Sequence, residues 1–77
     1  MNISGIFVHT SPENSTALQR QMTELSGVEV HAAQADGRIV ITIEDTADTV
    51  PSDTLMSVQN MQGVLSASLI YNYCDDQ

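Results

Sequence analysis

The chain has 77 residues, which is enough for one domain with a thin hydrophobic core. Ten carboxylates stand against two basic side chains, Arg20 and Arg38, so the formal net charge is −8. Because binding to nucleic acids or to anionic membranes depends on Lys and Arg, this composition argues against both and favours a cationic partner.

The N-terminal segment is predicted to be a strand. Ile3 to His9, "ISGIFVH", is rich in β-branched and aromatic residues. The segment lacks a basic region and its apolar run is too short for an export signal, and no stretch of the chain is long enough for a membrane span. Cys74 is the one cysteine, which fits a reducing compartment and predicts a passive thiol. We therefore expect a cytoplasmic protein.

A first helix is predicted after this strand. Ser11 is a suitable N-cap, Pro12 fits the first helical position, and Glu13 places a carboxylate at the positive end of the helix dipole. One apolar stripe follows at helical spacing: Leu18, Met22 and Leu25. Gly27 is expected to end the helix, because glycine enters the left-handed cap conformation without strain.

Two strands joined by a hairpin come next. Val28 to Ala33 alternates between apolar and polar residues, and Arg38 to Glu44 is the most β-branched segment of the chain. Between them, Asp36-Gly37 is a strong hairpin signal.

A second helix and a last strand complete the chain. The helix follows a polar loop and carries the stripe Leu55, Val58 and either Met61 or Gln62, ending at Gly63. The strand is expected from Val64 to about Tyr71. Residues 1–73 are thus predicted to form a single domain, followed by a polar tail at 74–77.

The predicted order is βαββαβ. Right-handed crossovers place both helices on one side of the sheet, which gives an α+β, ferredoxin-like fold with a four-stranded antiparallel sheet. The first and third strands are expected in the middle.

Such a fold leaves one face of the sheet open, and the alternation of side chains assigns residues to the two faces. The side chains expected beneath the helices are Ile6, Val8, Val28, Val30, Ile39, Ile41, Ile43, Ala67, Leu69 and Tyr71. Those expected on the open face are Gly5, Phe7, His9, Glu29, His31, Val40, Thr42, Glu44, Ser66, Ser68, Ile70 and Asn72.

The open face is predicted to bind a partner, because Phe7, Val40 and Ile70 would be apolar side chains clustered on an uncovered sheet. Gly5 would let another backbone approach closely, although a glycine in a strand also marks a β-bulge. The negative charge, taken alone, is better explained by a need for solubility than by a cationic partner.

The sequence offers no catalytic or metal site, and we expect neither an enzyme nor a cofactor. His9 and His31 have no nearby nucleophile motif; His9 is expected to be solvated, with a pair to Glu44 or to a charge on a partner as the alternative. The loop "HTSPEN" after the first strand has neither the arginine cradle of acyl phosphatases nor a Cys-x-x-Cys pair. Glu44, Asp45 and Asp48 match no cation-binding loop and are interpreted as a solvated acidic segment.

Four segments together resemble the NapD family, small cytoplasmic chaperones of the periplasmic nitrate reductase. They are "ISGIFVHTSPE", "LSGVEVH", "DGRIVITIE" and "MQGVLSASLIY", in an order and at a length that cover essentially the whole chain. The short second helix, its lead-in with Pro51, and Cys74 depart from the pattern.

The resemblance implies a function. The domain would bind the twin-arginine signal peptide of the nitrate reductase catalytic subunit precursor and would prevent export before the molybdenum cofactor is inserted. The family holds the peptide, as a helix, on the sheet surface. The expected partners of the arginines are Glu44, Glu29 and the acidic loop, which includes Asp45.

The alternative is a small-molecule regulatory domain of the same fold that dimerises to bind amino acids. It requires sheets side by side and a ligand loop after the first strand. A small hydrolase is a third hypothesis, disfavoured by the absence of an arginine cradle.

Overall fold

The structure, a computed structural model, describes residues 2–47 and 49–74. Its strands and helices follow one another in the predicted order βαββαβ. They are β1 (Asn2–Thr10), a 3-10 turn (Pro12–Asn14), α1 (Ser15–Thr23), β2 (Val28–Ala33), β3 (Arg38–Asp45), α2 (Pro51–Gln59) and β4 (Val64–Cys74).

The strands form one antiparallel sheet in the order β2-β3-β1-β4. The two central strands are therefore β1 and β3, as predicted, and β2 and β4 are the edges. This is the ferredoxin-like arrangement, and the predicted fold class is confirmed.

The core lies between the sheet and the two helices. The helix stripes supply Leu18, Met22 and Val58, each at most 2% exposed. The sheet supplies five fully buried aliphatic side chains and Ala67; the five are Ile6, Val8, Ile39, Ile41 and Ile43. Leu25, Leu55 and Met61 pack against this core, partly buried, as their spacing predicted.

Helix α1 begins later than expected. Pro12 opens a 3-10 turn, and the α-helix starts only at Ser15. Ser11 makes no side-chain cap on this turn; its hydroxyl lies 3.4 Å from the carbonyl oxygen of Gly63, to which it donates. The hydroxyl that was predicted to cap a helix thus joins the β1 end to the turn before β4.

The hairpin between β2 and β3 requires a glycine. Gly37 has φ +99°, a conformation that L-residues rarely adopt, and its carbonyl accepts a 2.8 Å hydrogen bond from the backbone N–H of Thr10. A Cβ on Gly37 would collide with the Thr10 carbonyl. The predicted Asp36-Gly37 turn therefore also docks the hairpin against the end of β1.

Strand β4 is longer than the sequence indicated. It runs to Cys74, where it pairs with Asn2, because β1 begins at Asn2 and offers a partner along that whole length. Cys74 therefore belongs to the strand, and the rest of the predicted tail, 75–77, lies outside the described residues. Within the described ranges, no helix is both long and apolar enough to cross a membrane.

Candidate functional site

In the described part of the chain both helices pack on one face of the sheet, and the two ends of the opposite, open face differ chemically. At one end Phe7 of β1 pairs with Val40 of β3, and both side chains are only partly buried. Together with Ala32, Gln34 and Arg38 they line a hollow of about 100 Å³. Phe7 and Val40 are thus neighbours on the open face, as predicted.

The other end of the open face is acidic. Ile3 of β1 pairs with Glu44 of β3, and two residues further in along β3, Thr42 pairs with Glu29 of β2. A hollow of about 290 Å³ lies here. Its lining consists of Ile3, Gly27, Val28, Glu29, Thr42 and Glu44.

His31 belongs to this acidic end. Its Nε2 lies 2.7 Å from the hydroxyl of Thr42 and 3.3 Å from Oε1 of Glu29. All three side chains therefore lie on the open face, as alternation predicted for each of them.

The apolar end carries little net charge. Arg38 is paired with Asp36 through a 2.8 Å contact between Nε and Oδ2, and this hydrogen bond lowers the pKa of the Asp36 carboxyl. His9 pairs in register with Arg38 and is exposed. The alternative in which His9 meets Glu44 is wrong: the two lie at opposite ends of the face, about 20 Å apart along the strands.

Strand β4 departs from simple alternation. Gly5 pairs with Tyr71, whereas Ile6 pairs with Leu69, so Ile70 is an extra residue in β4. This bulge reverses the side-chain phase beyond it. Ile70 is 53% exposed, but its place at the bulge means that alternation no longer assigns it to a face.

The bulge brings Tyr71 to the open face and not beneath the helices, where it was predicted. Its ring lies over Gly5, where a Cβ on the glycine would be 2.6 Å from the ring Cδ2. Gly5 is accordingly buried. The space that was expected to admit a partner's backbone is filled by an aromatic ring of the same chain.

The same phase reversal removes Asn72 from the open face. Asn72 pairs with buried Ser4, and both line a hollow of about 190 Å³ beneath α2 together with Leu55. The predicted place of Asn72 is therefore corrected. Ser66 and Ser68 precede the bulge; they pair with His9 and Phe7 and are exposed on the open face as predicted.

The position of Asp45 does not fit its predicted role as a charge partner for the arginines of a bound peptide. It is in phase with buried Ile43, so it lies on the helix side of the sheet, where the side-chain amide of Asn2 donates to it at 3.4 Å. Glu44, one residue earlier, remains on the open face. Asp48 lies outside the described residues.

A second bulge changes the other edge strand. Val30 pairs with Ile41 and Ala32 pairs with Val40, so His31 is the extra residue and Ala32 joins the open face. Sequence reasoning missed Ala32, Tyr71 and Ile3 as open-face residues. Among the described residues no group of three His, Cys, Asp or Glu side chains is placed to hold a metal ion.

Comparison with known proteins gives one consistent result. The family model described as "NapD protein" matches residues 1–76. Proteins called "Chaperone NapD" from Escherichia coli K12 and Shigella flexneri are each 26% identical over 76 residues, covering 97% of this chain and 87% of theirs. The solution structure of the "E. coli Tat proofreading chaperone protein NapD" matches with a TM-score of 0.82 and 26% identity, covering 97% of this chain and 80% of that one.

Proposed function

The chain belongs to the NapD family, whose members are chaperones and not enzymes, and on that basis we propose that its open face binds a twin-arginine (Tat) signal peptide. The observation that supports this proposal is the division of the open face into two ends. One end is acidic, at Glu29 and Glu44, and the other is apolar, at Phe7 and Val40. A twin-arginine peptide has the complementary division, with two guanidinium groups followed by an apolar stretch.

The energetics require both ends of the face. Burying one large apolar side chain contributes about 1.5–3 kcal/mol, whereas association costs roughly 4–15 kcal/mol. Phe7 and Val40 already are partly buried, so they recover only part of that contribution. Charge-assisted hydrogen bonds between the arginines and Glu29 or Glu44 must supply the rest.

The specific cargo in this proposal is the catalytic subunit precursor of the periplasmic nitrate reductase. By occupying its signal peptide in the cytoplasm, the chaperone keeps the precursor from the translocase until the molybdenum cofactor is inserted. This role calls for a reversible complex, which suits a shallow open face better than an enclosed pocket.

Peptide titration tests the binding step. Calorimetry with the twin-arginine peptide, and with versions carrying Lys-Lys or Gln-Gln, should give the order Arg-Arg, Lys-Lys, Gln-Gln from tightest to weakest. Phe7→Ala should weaken all three, because the apolar end serves them alike. Equal affinity for the three peptides, or binding to none, would refute this function.

Export delay needs a separate test. A reporter protein behind the nitrate reductase signal peptide should be exported less when this chain is co-expressed, and Phe7→Ala should restore export. A reporter behind an unrelated twin-arginine signal peptide is the control for cargo specificity.

A further inference from the structure

Four residues form one row across the open face of the sheet. Tyr71 pairs with Gly5, Gly5 with Thr42, and Thr42 with Glu29, so the row crosses β4, β1, β3 and β2. The ring of Tyr71 covers Gly5, and yet the residue remains 48% exposed. An exposed tyrosine therefore lies on the acidic half of the face.

Two carboxylates lie on the same half of the open face as this ring, on β3 and β2. Neighbouring strands lie about 4.8 Å apart. Strand β3, which carries Thr42 and Glu44, is one such spacing from Gly5, and strand β2, which carries Glu29, is two spacings away. Glu44 is two residues beyond Thr42, about 7 Å along β3. Of the two arginines of this chain, Arg38 pairs with Asp36 at the far end and Arg20 lies on α1, so neither neutralises these carboxylates.

We propose that Tyr71 is the residue that distinguishes arginine from lysine in the bound peptide. One guanidinium group stacks on the Tyr71 ring, and Glu44 and Glu29 accept hydrogen bonds from the peptide's arginines. A planar guanidinium can stack and bond at the same time, whereas an ammonium acts as a compact, strongly hydrated charge. This inference rests on the proposed function, since it assigns a role within the same peptide-binding face.

A purely structural role for the ring makes a different prediction. Aromatic side chains that lie over a glycine in a sheet shield its backbone and strengthen pairing. If Tyr71 did only this, its removal would lower stability and would weaken Arg-Arg and Lys-Lys peptides by the same factor. The ratio of the two affinities therefore separates recognition from support.

The experiment measures that ratio for the intact chain and three variants. Tyr71→Phe keeps the ring and should keep the preference for Arg-Arg. Tyr71→Leu should reduce the preference by about three- to tenfold, with the Lys-Lys affinity nearly unchanged. Gly5→Ala leaves Tyr71 in the sequence but displaces its ring, so it should reduce the preference in the same direction.

A spectroscopic signal tests the contact directly. The side-chain protons of a peptide arginine stacked on the ring should shift upfield in the NMR spectrum of the complex, and this shift should vanish in Tyr71→Leu. An unchanged Arg-Arg preference in Tyr71→Leu, or an equal loss for both peptides, would overturn the assignment. If the unmodified chain binds neither peptide, it is the proposed function that fails, and the two failures are thereby distinguished.

Discussion

The ring of Tyr71 lies over the backbone of Gly5 on the uncovered face of the sheet, and each residue explains the other. A side chain at position 5 would occupy the volume of the ring, and without the bulge at Ile70 the ring would point beneath α2. One extra residue in an edge strand thus places an aromatic group beside the acidic end of the face.

The first prediction compares two glycines. A methyl group at position 5 meets the ring of an exposed edge-strand side chain, which can swing away, so Gly5→Ala should change the free energy of unfolding by less than about 1 kcal/mol. At position 37 the methyl meets the Thr10 backbone and φ is +99°, so Gly37→Ala should cost at least about 2 kcal/mol.

Urea denaturation of both variants checks this comparison. Tyrosine fluorescence should also change in Gly5→Ala, because the ring of Tyr71 moves. Equal destabilisation of the two variants would contradict the interpretation that the Tyr71 ring is displaceable.

The two central strands could be predicted almost completely from the sequence. Side chains in β1 and β3 alternate without interruption where they pair with each other, because each is held on both sides by neighbouring strands. Ile6, Val8, Ile39, Ile41 and Ile43 were therefore placed correctly by a simple period of two.

The edge strands could not be predicted in the same way. β2 contains one register shift, at His31, and β4 contains two, at Leu65 and at Ile70; each shift reverses the phase of the residues beyond it. The residue types at these positions do not reveal the shifts, since an edge strand accommodates an extra residue on its unpaired side. The errors at Tyr71 and Asn72 both follow from the bulge at Ile70.

The second prediction compares neighbours on opposite faces of β3. Val40 lines the hollow beside Phe7, so Val40→Ala should weaken the twin-arginine peptide by about threefold to tenfold and cost about 1 kcal/mol of stability or less. Ile41 is fully buried, so Ile41→Val should cost about 0.5–1.5 kcal/mol of stability and leave the peptide affinity unchanged.

Calorimetry for the affinity and thermal unfolding for the stability separate the two effects. The assignment of faces in β3 would be refuted if Ile41→Val, while still folded, weakened the peptide as much as Val40→Ala does.

The third prediction concerns pH and the hairpin. Arg38 lowers the pKa of Asp36 in the folded chain, so the pair stabilises the fold above the carboxyl's unfolded pKa, and that contribution is lost as pH falls through the lower folded pKa. Arg38→Gln should therefore slightly lower the melting temperature at pH 7. The difference from the unmodified chain should shrink progressively below about pH 4.

A double-mutant cycle with Asp36→Asn and Arg38→Gln isolates this pair from the many other carboxylates of the chain. The coupling between the two positions should be measurable at pH 7 and should approach zero once Asp36 is protonated. A coupling that is constant from pH 7 to pH 2 would contradict the ion pair as its source.

The last prediction compares Glu44 with Asp45, adjacent carboxylates that lie on opposite faces of β3. Glu44→Gln should weaken the twin-arginine peptide by about two- to fivefold, the range of an exposed ion pair. Asp45→Asn removes the same charge from the helix side and should have a smaller effect, limited to long-range attraction. Each substitution lowers the net negative charge by one, so any difference between them reports position and not total charge.

Measuring the peptide affinities of both variants at several salt concentrations separates a direct hydrogen bond from long-range attraction. Long-range attraction between the acidic chain and the basic peptide is screened over about 10 Å at 0.1 M salt and about 3 Å at 1 M. The small effect of Asp45→Asn should therefore vanish as salt is raised, whereas part of the Glu44→Gln effect should persist, because a direct hydrogen bond is less screened. If both variants lose the same affinity at every salt concentration, the arginines are attracted by the overall charge and Glu44 does not contact them.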